Sequence, residues 1–327
     1  MKHFKYNLQL FAEPNTNVTT ADGLSDEMKV FYSDYLIDNA VPKLVHDQFG
    51  QKHPIPKNGG KTIEFRKYSP LPKLTEPIQE GVTPNGQSLE MSTIDATVRQ
   101  YGGYITLSDV LMLTAIDNNL VQATKLLGAQ AGATLDTITR EVLNGGTNVI
   151  FAGGKSARTD LAADSVLTVD DIKKAVRLLK TQNAEQINGA WVGIIHPDVA
   201  YDLTNDPAWK DVKTYSDPSD IYEGEIGKIY GVRFVETTEA KIWAKAGASS
   251  RAVYSTLILG DNAYGTTEIT GGGLEHIVKQ LGSAGTSDPL NQRATAGWKA
   301  TKVAERLVEN YMVRIESAST FNPTANN

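Results

Sequence analysis

Two stretches of alternating residues, separated by a long stretch with no pattern, constrain this chain more than any other feature. Lys61-Thr-Ile-Glu-Phe-Arg-Lys67 sets Ile63 and Phe65 between Glu64 and Arg66, and Ile94-Asp-Ala-Thr-Val-Arg99 alternates in the same way. A period of two is that of a strand with one covered face. Between them, residues 69–93 carry Pro70, Pro72, Pro77 and Pro84 with Gly81 and Gly86, and little periodicity. A connection this long inside a compact domain is commonly functional or disordered. Two strands with a long tip and no second layer are only marginally stable alone. The expectation is an extended arm that a neighbouring molecule supports; an ordinary surface loop is the competing reading.

A second constraint follows directly. Leu120, Thr124, Leu127, Ala131, Leu135, Ile138 and Val142 recur every three to four residues, which predicts one helix over 117–143 with a single apolar stripe. Asp117 is placed to cap it, and Asn144-Gly145-Gly146 to stop it. At ~1.5 Å per residue the helix is about 40 Å long. Gly128, Ala129, Ala131, Gly132 and Ala133 allow close packing against a sheet. Upstream, residues 1–27 read as an arm, and apolar spacing from Met28 to Leu44 predicts a helix that Pro42 ends or kinks.

After Gly153-Gly154 an α/β region follows. Thr168-Val-Asp-Asp171 resembles a helix start, with Ile172, Ala175, Val176 and Leu179 on the apolar side. Ala190-Trp-Val-Gly-Ile-Ile195 suits a buried strand, and Pro197 opens a short helix to Leu203. Strands are predicted at 231–235, 253–259, 274–281, 298–303 and 307–315, before a short polar tail beyond Phe321. A chain of 327 residues allows about two such domains.

Composition removes several classes of function. Lys+Arg number 32 against Asp+Glu 38, a formal charge of −6, which argues against a protein whose main task is gripping nucleic acid. It leaves open a container that surrounds nucleic acid. With no cysteine, disulfides, thiolate metal sites and cysteine nucleophiles are excluded. The apolar run Leu8–Ala12 is too short for a signal core, and no run approaches a membrane span.

Fragments that imitate catalytic motifs fail on spacing. Asn58-Gly-Gly-Lys-Thr62 would need glycine at 55 for a phosphate loop and has Ile55; Gly153-Gly-Lys-Ser156 has Val149 at the corresponding place. Gly224-Glu-Ile-Gly-Lys-Ile-Tyr-Gly231 lacks dinucleotide-loop spacing and leads into a strand. The five histidines, His3, His46, His53, His196 and His276, make no metal motif, and no Gly-x-Ser-x-Gly elbow exists. Asp170-Asp171 and Asp217 with Asp220 read as capping and turn carboxylates. No catalytic residue, cofactor site or metal site is predicted, and the chain is read as no enzyme.

Three segments carry a resemblance: Ile195-His-Pro-Asp-Val-Ala-Tyr-Asp-Leu203, Gly224 to Thr237, and Ser287-Asp-Pro-Leu-Asn-Gln-Arg-Ala-Thr-Ala-Gly-Trp-Lys299. With the order arm, extended hairpin, spine helix, inserted α/β region and returning strands, the chain resembles the major capsid proteins of tailed bacteriophages, an α+β fold named after phage Hong Kong 97. The last segment, with Tyr6-Asn-Leu-Gln-Leu-Phe-Ala-Glu13, looks most like the group typified by coliphage N-four, found in phages and prophages of Gram-positive bacteria.

The resemblance implies an N-terminal arm over 1–54, an extended loop over 55–110, a peripheral domain of 111–160 and 266–327, and an axial domain of 161–265. It implies hexamers and pentamers of this chain in an icosahedral shell around double-stranded DNA, assembled in the bacterial host cytoplasm and residing in the virion. Implied partners are further copies of the chain, a portal protein, a separate scaffolding protein, a possible decoration protein and DNA bound without sequence preference, with no membrane. Glu64, Arg66, Lys67, Glu76, Glu80 and Arg99 are the candidate inter-subunit contacts; a solvated strand face is their alternative reading. An encapsulin-like compartment shell, sharing the fold, is the rival function. Lys57, Lys61, Lys67 and Lys73 lie in or near the loop, but no acceptor or glutamate matches the Lys–Asn crosslink motif of some relatives.

Overall fold

The computed structural model describes residues 16–17, 45–77, 80, 81, 83, 85–114, 119–209, 227–283, 285 and 288–326. The helix expected over 28–44 and the cap expected at Asp117 lie outside them, as does the arm apart from Thr16–Asn17. The first strands are β1 (Thr16–Asn17), β2 (Gln51–Lys52), β3 (Thr62–Tyr68), β4 (Met91–Thr97) and β5 (Arg99–Ser108). Helices α1 (Asp109–Thr114) and α2 (Asn119–Asn144) precede β6 (Val149–Phe151), α3 (Val169–Thr181), β7 (Trp191–Ile195) and α4 (Pro197–Asn205). Then come β8 (Lys228–Ile229), β9 (Val232–Glu236), β10 (Ile242–Trp243), β11 (Val253–Leu259) and β12 (Tyr264–Thr267). The chain closes with β13 (Glu275–Lys279), β14 (Arg293–Arg306) and β15 (Met312–Ser317).

The described residues fall into two compact units, and α2 and β14 contribute residues to both. In the unit containing 100–135 and 272–301, β13 runs antiparallel to β14, pairing Ile277 with Gly297 and His276 with Trp298. The indole N–H of Trp298 donates to Gln130 Oε1 at 3.0 Å, tying the strand to α2. Leu120, Ala123, Thr124, Leu127 and Ala131 form the buried stripe of α2 there. Strand β5 lies so close to β14 that a Cβ at Gly102 would sit 2.6 Å from the Trp298 carbonyl oxygen.

The other unit is built on a seven-stranded mixed sheet, β6-β15-β11-β7-β9-β8 with β10 on β11. Its centre is covered on both faces, which explains why β7 reads as an unbroken apolar run and why every residue of β11 is buried, Ser255 and Thr256 included. Trp191, Ile195, Tyr254, Ile258, Val313 and Ile315 face a cluster with Ile172, Val176 and Leu179 of α3 and Val199 and Leu203 of α4. The alternate residues Val192, Ile194, Leu257, Leu259 and Met312 meet Leu143 near the end of α2. The Thr168 side chain accepts from the Asp171 N–H, and Pro197 opens α4 behind His196, whose Nδ1 accepts from the Asp198 N–H at 3.1 Å.

Three boundaries differ from the sequence reading. The spine helix is described over 119–144, ending one residue later than expected while its expected start at 117 lies outside the described residues, and the strand expected at 94–99 is β4 and the start of the separate strand β5. The strand expected at 298–303 extends over the fourteen residues of β14, and the one expected at 307–315 begins only after a 3-10 turn at Glu309–Tyr311, as β15. The inward residues of the long strand are Ala294, Ala296, Trp298, Ala300, Lys302 and Ala304; alanine is a poor strand former, so the period-two signal is weak.

Candidate assembly surface

Strands β3 and β4 form a two-stranded antiparallel ribbon in register from Thr62 opposite Thr97 to Tyr68 opposite Met91. One face carries Ile63, Phe65, Ile94 and Ala96; the other carries Thr62, Glu64, Arg66, Asp95 and Thr97. The apolar face is anchored at its base. The Phe65 ring would lie 3.3 Å from a Cβ at Gly265 and packs edge-on to His53 with centroids 5.6 Å apart. Beside this anchor a cleft of about 460 Å³ is lined by Ile63, Phe65, Ile94, Leu307 and Val308 together with polar residues.

Among the described residues the outermost backbone–backbone hydrogen bond of the ribbon runs from the Ser69 N–H to the Glu90 carbonyl at 2.9 Å. Tyr68, Leu71, Leu74, Leu89 and Met91 are all exposed there, Leu74 at 78% and Leu89 at 72%. This exposed apolar group makes the ribbon the candidate contact surface among the described residues.

The six charged residues expected to meet neighbours, Glu64, Arg66, Lys67, Glu76, Glu80 and Arg99, are all exposed. The structure pairs only two of them: Arg66 Nε lies 3.3 Å from Glu64 Oε1 on the same strand. Glu64 also stands opposite Asp95, a like-charged cross-strand pair that isolated strands avoid.

Two buried ionic networks hold the unit from which the ribbon projects. In the first, His46 donates from its backbone N–H to Asp136 at 2.8 Å, and its Nδ1 lies 2.6 Å from the same carboxylate. Asp47 accepts from Thr139 at 2.5 Å and pairs with Lys302, while the Tyr264 hydroxyl donates to the His46 carbonyl. Burial pushes the Lys302 amine down, and Asp47 beside it pushes back without restoring it. In the second, the buried Glu316 takes Arg158 in a fork at 2.7 Å on each side and Arg314 at 2.9 Å. Arg314 also donates to the Asn144 and Gly146 carbonyls just past the α2 C-terminus, and Arg158 covers the Trp243 ring at 3.7 Å. His46 and Asp136 are 90 positions apart, Arg158 and Glu316 158, and Asp47 and Lys302 255, so no spacing announces these pairs, whereas Arg314 and Glu316 are two apart on one strand.

Nearest to an acid–base set are Tyr254, Asp198 and His196. The Tyr254 hydroxyl donates to Asp198 Oδ2 at 2.6 Å, and His196 Nδ1 lies 3.5 Å from the same oxygen. Burial and Asp198 push the phenol far up, while burial pushes the imidazole down, so both stay neutral and fasten the start of α4 to the sheet. The supposed phosphate loops are turns with Asn58, Gly60, Gly153 and Gly154 at positive φ. Among the described residues no group of three His, Asp or Glu could hold a metal ion, and no helix is long and apolar enough to cross a membrane.

Against known proteins, the family of phage capsid proteins matches residues 116–278. No curated protein matches the chain in sequence. Among solved structures, the capsid of cyanophage Pam1 shares 15% identity at a TM-score of 0.67, covering 98% of this chain and 100% of that one. The capsid of Ralstonia phage GP4 shares 14% at 0.65, covering 84% and 88%. The acid-stable capsid of Helicobacter pylori bacteriophage KHP30 shares 10% at 0.60, covering 97% and 99%. At such identities the likeness establishes the fold; family match and fold agree, and the chain belongs to the phage capsid proteins, the structural subunits of the phage head shell.

Proposed function

We propose that this chain is the tile of an icosahedral head, forming hexamers and pentamers around double-stranded DNA in the host cytoplasm before residing in the virion. The observation that supports this reading best is the ribbon whose apolar tip residues, Tyr68, Leu71, Leu74, Leu89 and Met91, are exposed among the described residues. In this reading residues 55–110 lie over an adjacent subunit, with Glu64, Arg66, Lys67, Glu76, Glu80 and Arg99 as polar contacts at its rim. Residues 1–54 form the arm, 111–160 with 266–327 the peripheral domain, and 161–265 the axial domain. A portal, a separate scaffold and a decoration protein are the further partners. Each interface is modest, but several per subunit add up once the geometry closes. The encapsulin-like alternative shares the fold, yet the family match and the neighbouring structures are phage capsids.

Deleting residues 72–90 tests the overlapping ribbon. The truncated monomer should melt within about 1 °C of the full chain, because exposed residues away from special features change stability little, while closed shells disappear. Normal shells from the truncated chain would refute the overlap.

A further inference from the structure

Helix α3 carries a line of cations, most of which form no ion pair among the described residues. Its inner positions Ile172, Ala175, Val176 and Leu179 are buried on the sheet, so Lys173, Lys174, Arg177 and Lys180 point outward. Lys174 is accounted for: its Nζ lies 2.9 Å from Asp170 Oδ2 and 3.0 Å from Asp171 Oδ1. Those two carboxylates raise the Lys174 amine, and Lys174 holds Asp170 low. Lys173, Arg177 and Lys180 form no ion pair among the described residues.

These three stand at i, i+4 and i+7, one above another on a single face. Like charges at that spacing destabilise a helix. The line is also local: the whole chain is acidic, at −6. An exposed aromatic borders it. Tyr230 sits at the turn between β8 and β9 with φ 48°, is 46% exposed, and has Lys173 Nζ 4.8 Å over its ring. At the other end Lys180 Nζ lies 5.6 Å over the Trp191 ring. Seven residues of helix span about 10 Å, close to three nucleotide steps of a duplex strand at ~3.4 Å each. Three cations in line, an exposed ring and no ion-pair partner among the described residues suit a polyanionic backbone and not an apolar partner.

We propose that the outer face of α3 binds the phosphate backbone of nucleic acid without reading sequence, with Lys173, Arg177 and Lys180 as the phosphate contacts. The assignment rests on the shell reading in one respect: a duplex enclosed by the shell is the polyanion this subunit meets. Binding is weak per subunit and repeated over every copy, so it relieves repulsion between an acidic wall and its contents without gripping them.

The test compares the full chain with a Lys173→Gln/Arg177→Gln/Lys180→Gln variant, using fluorescence anisotropy of a labelled DNA duplex from 50 to 200 mM salt. Each phosphate contact contributes about 0.9 to the slope of log K against log salt. The variant should therefore lose about 2.7 from the slope, and the full chain should weaken about 40-fold more than the variant across that range. A Lys173→Arg/Lys180→Arg variant should keep both affinity and slope, which separates charge from folding. Equal slopes for the full chain and the glutamine variant would overturn the proposal. So would a glutamine variant with unchanged DNA binding that no longer forms shells, since the face would then be a contact between copies. If the full chain forms no shells but the slope still falls, the cation line stands and the shell reading fails.

Discussion

Glu316→Gln isolates the part of the molecule that depends most on one charge. Glu316 is fully buried and joins Arg158, by two contacts of 2.7 Å, to Arg314 at 2.9 Å. Glutamine keeps the shape and removes the counter-ion. Arg158 is a third exposed and can turn to water, so its loss costs little. The Arg314 side chain is 10% exposed and held among strands and the α2 C-terminus, so it becomes a buried charge without a partner. Breaking such a pair costs about 3–5 kcal/mol. Taking about 2 °C per kcal/mol for a chain of this size, the melting temperature should fall by about 6–10 °C. Differential scanning calorimetry of the unassembled protein reads this directly. Arg314→Met/Glu316→Met should recover part of the loss, because no buried charge remains, but not all, because the Asn144 and Gly146 carbonyls lose a donor. A single variant melting within about 1 °C of the native chain would refute the reasoning.

Acid should destabilise the monomer in two stages. Burial holds His196 and His276 below the ordinary 6.5, so the unfolded chain takes up protons first and stability falls as pH drops below about 6.5; His276→Gln should flatten that limb in urea melts at stepped pH. Burial alone would raise Glu141 and Glu309, but Lys241 and Arg140 around the first, and the Thr147 N–H with Arg306 around the second, hold both below 4.5, so their contribution is lost at still lower pH. Gly102→Val should unfold the chain or lower its melting temperature sharply, since its Cβ would meet the Trp298 carbonyl at 2.6 Å; wild-type melting would show that β5 and β14 do not approach as described.

Elements whose signal is local were legible in the sequence. The spine helix was placed to within one residue at its end because its stripe repeats without interruption, and the ribbon was legible because Ile63 and Phe65 alternate with charges. The α3 start followed from Thr168 and the carboxylates behind it. Strand β14 was expected only over 298–303 because alanines carry its inward face, and β12 was missed because Tyr-Gly-Thr-Thr offers no alternation. The networks of Asp47 with Lys302 and of Glu316 with its arginines were invisible: a charged residue in sequence reads as surface until its distant partner is known. Among the candidate contacts, the sequence located the ribbon but not its anchor, since Phe65 over Gly265 joins positions that no periodicity relates.

The central claim is that this subunit closes into a shell with copies of itself. Electron microscopy of the protein expressed with and without a scaffolding protein tests it most directly. Closed, uniform, icosahedral particles are the predicted result under at least the scaffolded condition. A protein that remains monomeric under both would contradict the account.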